Sequence, residues 1–404
     1  MIGKLFRTAL FFLGFSAAAH AQTLVLAGGT VYPSPDAAAL PDAVVVVTGG
    51  AITAIGHRGD IQIPNDVRVI DCSGKTIVAG FWNSHVHFTQ AVWRDAANAP
   101  AAPMQEHMQQ MLTRWGFTTV WDLGSDPRDS LPLRRRVNAG EVPGPNILFA
   151  GSMYPKDGHP IYLPAEIILP ETDKPDQAAQ WARSYLEMGL DGVKLFTGAC
   201  KGEDRPVVNM EVAVAKAAAD VAHAQGKPVF AHPQNLAGVE VVIAAGVDVM
   251  AHTIPLGGPG YPPEELARFK QQGTALIPTL SLFAKLPVPA MIAERLVSDS
   301  VAQLKSFSDN NGGPVLFGTD VGFTTIYDTT LEYELMHRAL SERQVLASLT
   351  TSPAAYFKSA KKGKLEQGFD ADIVVLDGDP LADVGNLAKV AYTIRAGQII
   401  YQKP

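Results

Sequence analysis

The chain has 404 residues, 47% hydrophobic and 18% charged, a composition that excludes disordered and fibrous classes and describes a well-packed globule. That length allows one large domain or two small ones. A formal charge of −7 argues against nucleic acid or an anionic membrane as partner.

The first residues read as a leader. Lys4 and Arg7 precede an apolar run over 8–19, and Ala19-His20-Ala21 is a small-residue cleavage pattern. Cleavage near Ala21, before Gln22, predicts a periplasmic or secreted protein and takes the formal charge to −9. An uncleaved anchor is the alternative, but the run is short for a spanning helix, so no stable membrane association is expected. Only Cys72 and Cys200 are present, too few for a disulfide framework. Both are expected to stay reduced, with Cys200 close enough to Lys194 in sequence to line a pocket.

Residues 22–75 hold short alternating runs at 23–26, 43–48, 51–55 and 67–70, punctuated by turn residues such as Gly49-Gly50. They predict a small antiparallel sheet. Runs of the same character at 370–376 and 390–400, with Gly397 in a hairpin turn, recur within 357–404. Neither fragment is large enough to fold alone, so the two ends predict one small, sandwich-like β-domain.

Residues 76–356 alternate strand and helix signals. Strands are predicted at 77–87, 118–123, 146–150, 192–196, 228–232, 248–252, 274–280 and 315–320, with helices such as 176–188, 210–225, 236–245 and 263–272 between them. This pattern predicts a (β/α)8 TIM barrel, an α/β fold. A doubly wound open sheet lacks support because no Gly-x-Gly-x-x-Gly follows an early strand.

Chemistry-bearing residues end these runs. His85 and His87 are one residue apart, so a strand end projects both imidazoles to one face, as a shared metal ion requires. Lys194, His232, His252 and Asp320 close later runs, each followed by loop chemistry such as Pro233 or Val321-Gly322. A lone strand-end histidine is more often structural, and Asp320 alone reads equally as a helix cap. Recurrence at the catalytic end of five barrel strands is what those readings do not explain. Lys194 inside an apolar strand must reach water or lose its charge.

These residues carry a resemblance. Gly80-Phe81-Trp82-Asn83-Ser84-His85-Val86-His87, Lys194, His232, His252, Gly318-Thr319-Asp320 and the tail Gly368-Phe369-Asp370-Ala371-Asp372-Ile373-Val374-Val375-Leu376 resemble the amidohydrolase superfamily over nearly all of the mature chain. The branch that looks most similar holds Xaa-Pro dipeptidases and amide-cleaving detoxifying enzymes. The resemblance implies two divalent metal ions, with zinc the default and manganese, cobalt or iron as alternatives. His85, His87 and Asp320 would hold the more buried ion, His232 and His252 the more exposed one. Lys194, carbamylated by carbon dioxide, would bridge them, and Asp320 would carry the proton from water to leaving group.

After the third strand, Asp157-Gly158-His159 resembles a Gly-Gly-His stretch of that branch, with Asp in place of the first Gly. His159 or Tyr154 is a candidate oxyanion donor there, with loop packing as an equal alternative. Lys201 and Arg205 are candidates for a substrate carboxylate, though such residues are more often solvated charges. His57, His107, His223 and His337 are assigned to the β-domain or to helix packing. The implied function is an exported hydrolase cleaving a peptide-like or N-acyl amino acid amide bond in a small-molecule substrate. Alternatives are a lactonase, phosphotriesterase or deaminase on the same metals and, more remotely, a non-catalytic metal- or ligand-binding barrel. Proline-rich loops at 254–263 and 286–289 are candidates for lids or for contacts in a homo-oligomer.

Overall fold

The computed structural model describes residues 23–160, 163, 167–199 and 206–404. The leader, Cys200, Lys201 and Arg205 lie outside the described residues. Five strands open the chain: β1 (Thr23–Val31), β2 (Leu40–Thr48), β3 (Ala51–His57), β4 (Arg68–Asp71) and β5 (Thr76–Ala79). The barrel strands begin with β6 (Phe81–Val86), β7 (Phe117–Asp122) and β8 (Asn146–Pro155). After the two-residue β9 (Glu171–Thr172) comes β10 (Gly192–Leu195), then a small ribbon of β11 (Gly198–Ala199) and β12 (Val208–Asn209). The last barrel strands are β13 (Val229–Ala231), β14 (Val249–Ala251) and β15 (Ala275–Ile277). Three strands end the chain: β16 (Ile373–Leu376), β17 (Val390–Arg395) and β18 (Gln398–Gln402).

Both termini build one sheet, in the order β18-β17-β16-β5-β1-β2-β3 with β4 also on β1. The expectation of an antiparallel sheet needs correction, because β1 pairs antiparallel with β2 but parallel with both β4 and β5. The cause is the segment between β3 and β4, whose Ile61, Ile63 and Val67 pack on Val25, Ala27, Val44 and Val46. It crosses one face of the sheet, so the chain re-enters on the far edge of β1 running the same way. Ala396 and Gly397 both adopt positive φ (46° and 76°), the tight turn a two-residue hairpin requires between β17 and β18.

A second correction concerns the run 77–87, which is two strands. It splits at Gly80, where a Cβ would lie 2.3 Å from Thr118 Oγ1. Residues before that point join the terminal sheet through β16, and residues after it open the barrel beside β7.

Seven parallel strands, in the order β15-β14-β13-β10-β8-β7-β6, form a nearly closed barrel. The predicted eighth strand is an extended segment rather than a regular one. It bridges β15 at Leu276–Val315 on one side and β6 at Val86–Val321 on the other. Phe317 donates its N–H to the Ser348 carbonyl of helix Glu342–Leu349 instead of to a neighbouring strand, which interrupts the ladder. Closure is still made by backbone bonds, including Ser84 N–H to Phe317 O (2.7 Å) and Asp320 N–H to His85 O (2.9 Å).

The helices Pro175–Glu187, Val212–Ala224, Leu236–Ala244 and Pro263–Gln272 fall where the apolar periodicity puts them. Trp82, Trp121, Ala150, Phe230, Val249 and Ile277, one from each of six strands, form a single buried cluster. Phe357 packs on three of its rings, at 5.0–5.9 Å between centroids. This filled interior leaves the strand C-termini as the polar end of the barrel. No helix among the described residues is long and apolar enough to cross a membrane. Cys72 is buried within the terminal sheet, where burial pushes its thiol up to about 12 and makes it unreactive.

Candidate metal centre

Each predicted ligand but Asp320 sits at or just beyond a strand C-terminus, and Asp320 closes the extended eighth segment. His85 lies within β6 and His87 follows it, Lys194 lies in β10, and His232 and His252 come immediately after β13 and β14. Strand β6 bulges against β7 between Asn83 and Val86, which re-aims the histidine pair. Asp320 and His252 both take positive φ (57° and 74°), a backbone that non-glycine residues adopt at a cost. No helix begins at Asp320; the next starts at Thr330. The helix-capping alternative for Asp320 therefore does not describe this structure.

The side chains converge. His85 Nε2 and His87 Nε2 are 3.2 Å apart, and Asp320 Oδ1 lies 3.3 Å from the first and 2.8 Å from the second. Ligand atoms of these three residues all lie within 4.8 Å of one another. His252 Nε2 is 4.0 Å from Asp320 Oδ2, and the His252 ring stands 4.7 Å from both His85 and His232. Lys194 is 1% exposed, and its charge is felt at His85, His232 and His252.

Burial sets the protonation of this cluster. It pushes the His232 imidazole down to about 3 and those of His85 and His252 well below the ordinary value, with Lys194 adding to each. Burial also lowers Lys194 to about 7, against the opposing pull of Asp320. The neutral imidazoles of His85, His232 and His252 are thus gathered in one buried cluster with the Asp320 carboxylate. Asp320 Oδ1 is buried and accepts no hydrogen bond, because the close approach of His87 lacks hydrogen-bond geometry. The nitrogen and oxygen donors of such a set fit a divalent cation, zinc or a similar ion.

A supporting layer, absent from the sequence reading, holds the ligands. The Thr279 hydroxyl donates to the Pro278 carbonyl (2.9 Å), so its oxygen accepts from His252 Nδ1–H at 2.7 Å. That fixes the tautomer and leaves His252 Nε2 as the ligating atom. Glu332, fully buried, accepts the N–H groups of Leu280 (2.8 Å) and Ser281 (2.6 Å), locking the turn that carries Thr279. Asn83 accepts from the amides of His85 and Thr319 and donates to Thr319 Oγ1 at 2.8 Å, joining β6 to the Asp320 turn. Asp122, buried at the end of β7, accepts from Ser125 and Ser130, and Ser125 Oγ in turn accepts the Phe88 amide beside His87. Replacing Thr279 with valine keeps its shape and removes the acceptor, so zinc affinity should fall about 10–100-fold. Competitive chelator titration measures this, and unchanged affinity would make Thr279 merely packing.

The remaining candidates fall around this cluster. Tyr154 stacks on Phe196 at 3.9 Å between centroids, and Phe196 lies tilted against His232 at 4.9 Å, which puts Tyr154 one ring from the ligands. His159 has both ring nitrogens engaged in its own loop, Nδ1 with the Pro160 carbonyl (3.2 Å) and Nε2 accepting from Leu169 N–H (3.2 Å). His223 bonds Asp248 on the barrel exterior, His337 contacts Glu342, and His57 meets the Pro41 carbonyl. His107 bonds Tyr327 at 3.0 Å, tying a helix to the loop after Asp320.

A family model of the amidohydrolases matches residues 76–400. The chain belongs to the amidohydrolase family. It is accordingly a hydrolase acting on amide bonds. Ochratoxinase from Aspergillus niger is 21% identical over 412 residues, covering 90% of this chain and 83% of that protein. Among solved structures, a putative prolidase from Bifidobacterium longum superposes with a TM-score of 0.79 at 26% identity, covering 95% of this chain and 97% of the other. A Xaa-Pro dipeptidase with bound methionine gives the same score at 21% identity, covering 95% and 100%.

The buried imidazoles make an acid-stability prediction for the metal-free amidohydrolase. Between the ordinary histidine value of 6.5 and about 3, the unfolded chain holds more protons at His232 than the folded one. Stability contributed by neutrality is present above 6.5 and lost as pH falls, at about 1.4 kcal/mol per pH unit for each such imidazole. His85 and His252 shift in the same direction and add to it. Melting temperature should therefore drop steadily below about pH 6.5. A flat profile there would mean that the imidazoles are not buried neutral.

Proposed function

We propose that the chain is an exported, binuclear metal-dependent hydrolase that cleaves an amide bond in a peptide-like or N-acyl amino acid substrate. One observation carries the reading: neutral imidazoles, Asp320 and a buried lysine of depressed pKa meet at the catalytic rim of a barrel. The names of the prolidase and Xaa-Pro dipeptidase relatives support the peptide-like substrate class. The Lys4–Arg7 charge, the apolar run and the Ala-x-Ala pattern support export.

A divalent pair, zinc by default, supplies hydroxide near neutral pH and polarises the scissile carbonyl when bound. His85, His87 and Asp320 would hold one ion, and His232 and His252 would hold the other. Lys194, at about 7, offers a neutral amine at physiological pH. Its nitrogen lone pair adds to the carbon of carbon dioxide, one C=O electron pair moves to oxygen, and the nitrogen proton leaves to solvent. The resulting carbamate, one negative charge shared over two oxygens, would supply oxygen donors where an ammonium would repel a cation. Asp320 takes the proton of the attacking water and delivers it to the departing nitrogen, because its Oδ1 has no other donor to satisfy. Tyr154 is better placed than His159 to donate to the substrate carbonyl oxygen, since its ring stacks on Phe196, whose ring in turn lies beside His232.

The deciding experiment is a screen of the mature protein, loaded with zinc or manganese, against dipeptides, N-acyl amino acids, lactones, phosphotriesters and aminopurines. Turnover of the first two classes supports the proposal. Turnover confined to the others sinks it.

A further inference from the structure

Lys285 carries a half-buried charge. It caps the short helix Leu280–Ala284, which follows β15 and Thr279 at the catalytic rim. Its half-buried Nζ donates only to two neutral oxygens, Ser281 Oγ at 3.4 Å and the Ile326 carbonyl at 3.3 Å. Among the described residues no carboxylate pairs with it. Three lie near enough for their charge to be felt: Glu332, Asp328 and Asp320. Each is committed elsewhere. Glu332 accepts two backbone amides with its two oxygens, Asp328 caps Thr330 N–H at 2.8 Å, and Asp320 faces the histidines. Burial outweighs all three and pulls the ammonium below the ordinary lysine value. A cation kept half-buried without a counter-ion is costly unless an anion arrives.

The position says which anion. Ile326 belongs to the loop that follows Asp320, so Lys285 stands on the Asp320 side of the site. Asp320 is the residue proposed to protonate the departing nitrogen. In an amino acid leaving group, the α-carboxylate carbon is two bonds from that nitrogen. We propose that Lys285 binds the α-carboxylate of the released amino acid, making the substrate an N-acyl or N-aminoacyl amino acid with a free C-terminal carboxylate. This rests on the amide-hydrolase reading and deepens it. Phe323 and Ile326, 44% and 53% exposed in the same loop, favour an apolar side chain beside that carboxylate.

The test compares N-acetyl-L-leucine with N-acetyl-L-leucinamide on metal-loaded wild type, Lys285→Gln and Lys285→Arg. Wild type should prefer the acid. Lys285→Gln should raise KM for the acid about 10–100-fold with little change in kcat, leave the amide unchanged, and keep metal content and melting temperature. Lys285→Arg should restore most of the preference. L-leucine binding, read by calorimetry, should weaken at least about tenfold in Lys285→Gln. Equal loss for acid and amide, an unchanged KM for the acid, or selective loss in Lys201→Met or Arg205→Met instead would overturn the assignment. Lys285-dependent leucine binding without turnover of any amide would leave this site standing and remove the amide-hydrolase reading.

Discussion

Replacing Lys194 with alanine is expected to lower bound metal from about two ions per chain to one or fewer and to cut kcat/KM at least ~10³-fold. The size follows from where Lys194 sits. Its side chain is buried among three imidazoles that it electrostatically depresses, and only Asp320 opposes its own loss of charge. As an ammonium it would repel both cations; as a carbamate it would join them. Removing it leaves His232 and His252 as a two-nitrogen site, too sparse for tight binding. Metal analysis after exhaustive dialysis measures the effect. One ion before and after the substitution would point to a mononuclear enzyme and remove the carbamate from the account.

The second large effect belongs to Asp320. Asp320→Asn should lower kcat by ~10³–10⁴ while most of the metal stays bound, because an amide oxygen still ligates but cannot accept and release a proton. The backbone around it is built to hold the side chain in place. Asp320 takes a positive φ, and a Cβ at Gly318 would lie 2.3 Å from Ile277. Kinetics paired with metal content separate the two roles. Parallel loss of metal and activity would make Asp320 chiefly a ligand and leave the proton transfer without a carrier.

The barrel was legible because its strands end in residues that have no place in an apolar run. Lys194 after Gly192-Val193 and the histidines of His85-Val86-His87 announce themselves by type and position. Helix Pro263–Gln272 was equally plain, with Pro at its start and Gly273 just beyond its end. Other features depend on tertiary partners that a single segment does not display. Gly80 breaks a continuous apolar run only because Thr118 crowds it. The eighth barrel segment loses strand character because Phe317 bonds a helix. Thr279 carried a readable signal, standing next to last in the run 274–280 at the same rim as the ligands. Glu332 and Lys285 did not, since an isolated charge near a helix is solvated by default and only the packed loops remove its water.

The most direct test of the central claim is anomalous diffraction from crystals of the zinc-loaded protein grown with bicarbonate. Two anomalous peaks are expected, one among His85, His87 and Asp320 and one beside His232 and His252, with added density on Lys194 Nζ between them. A single peak, or an unmodified Lys194 directed away from the imidazoles, would contradict it.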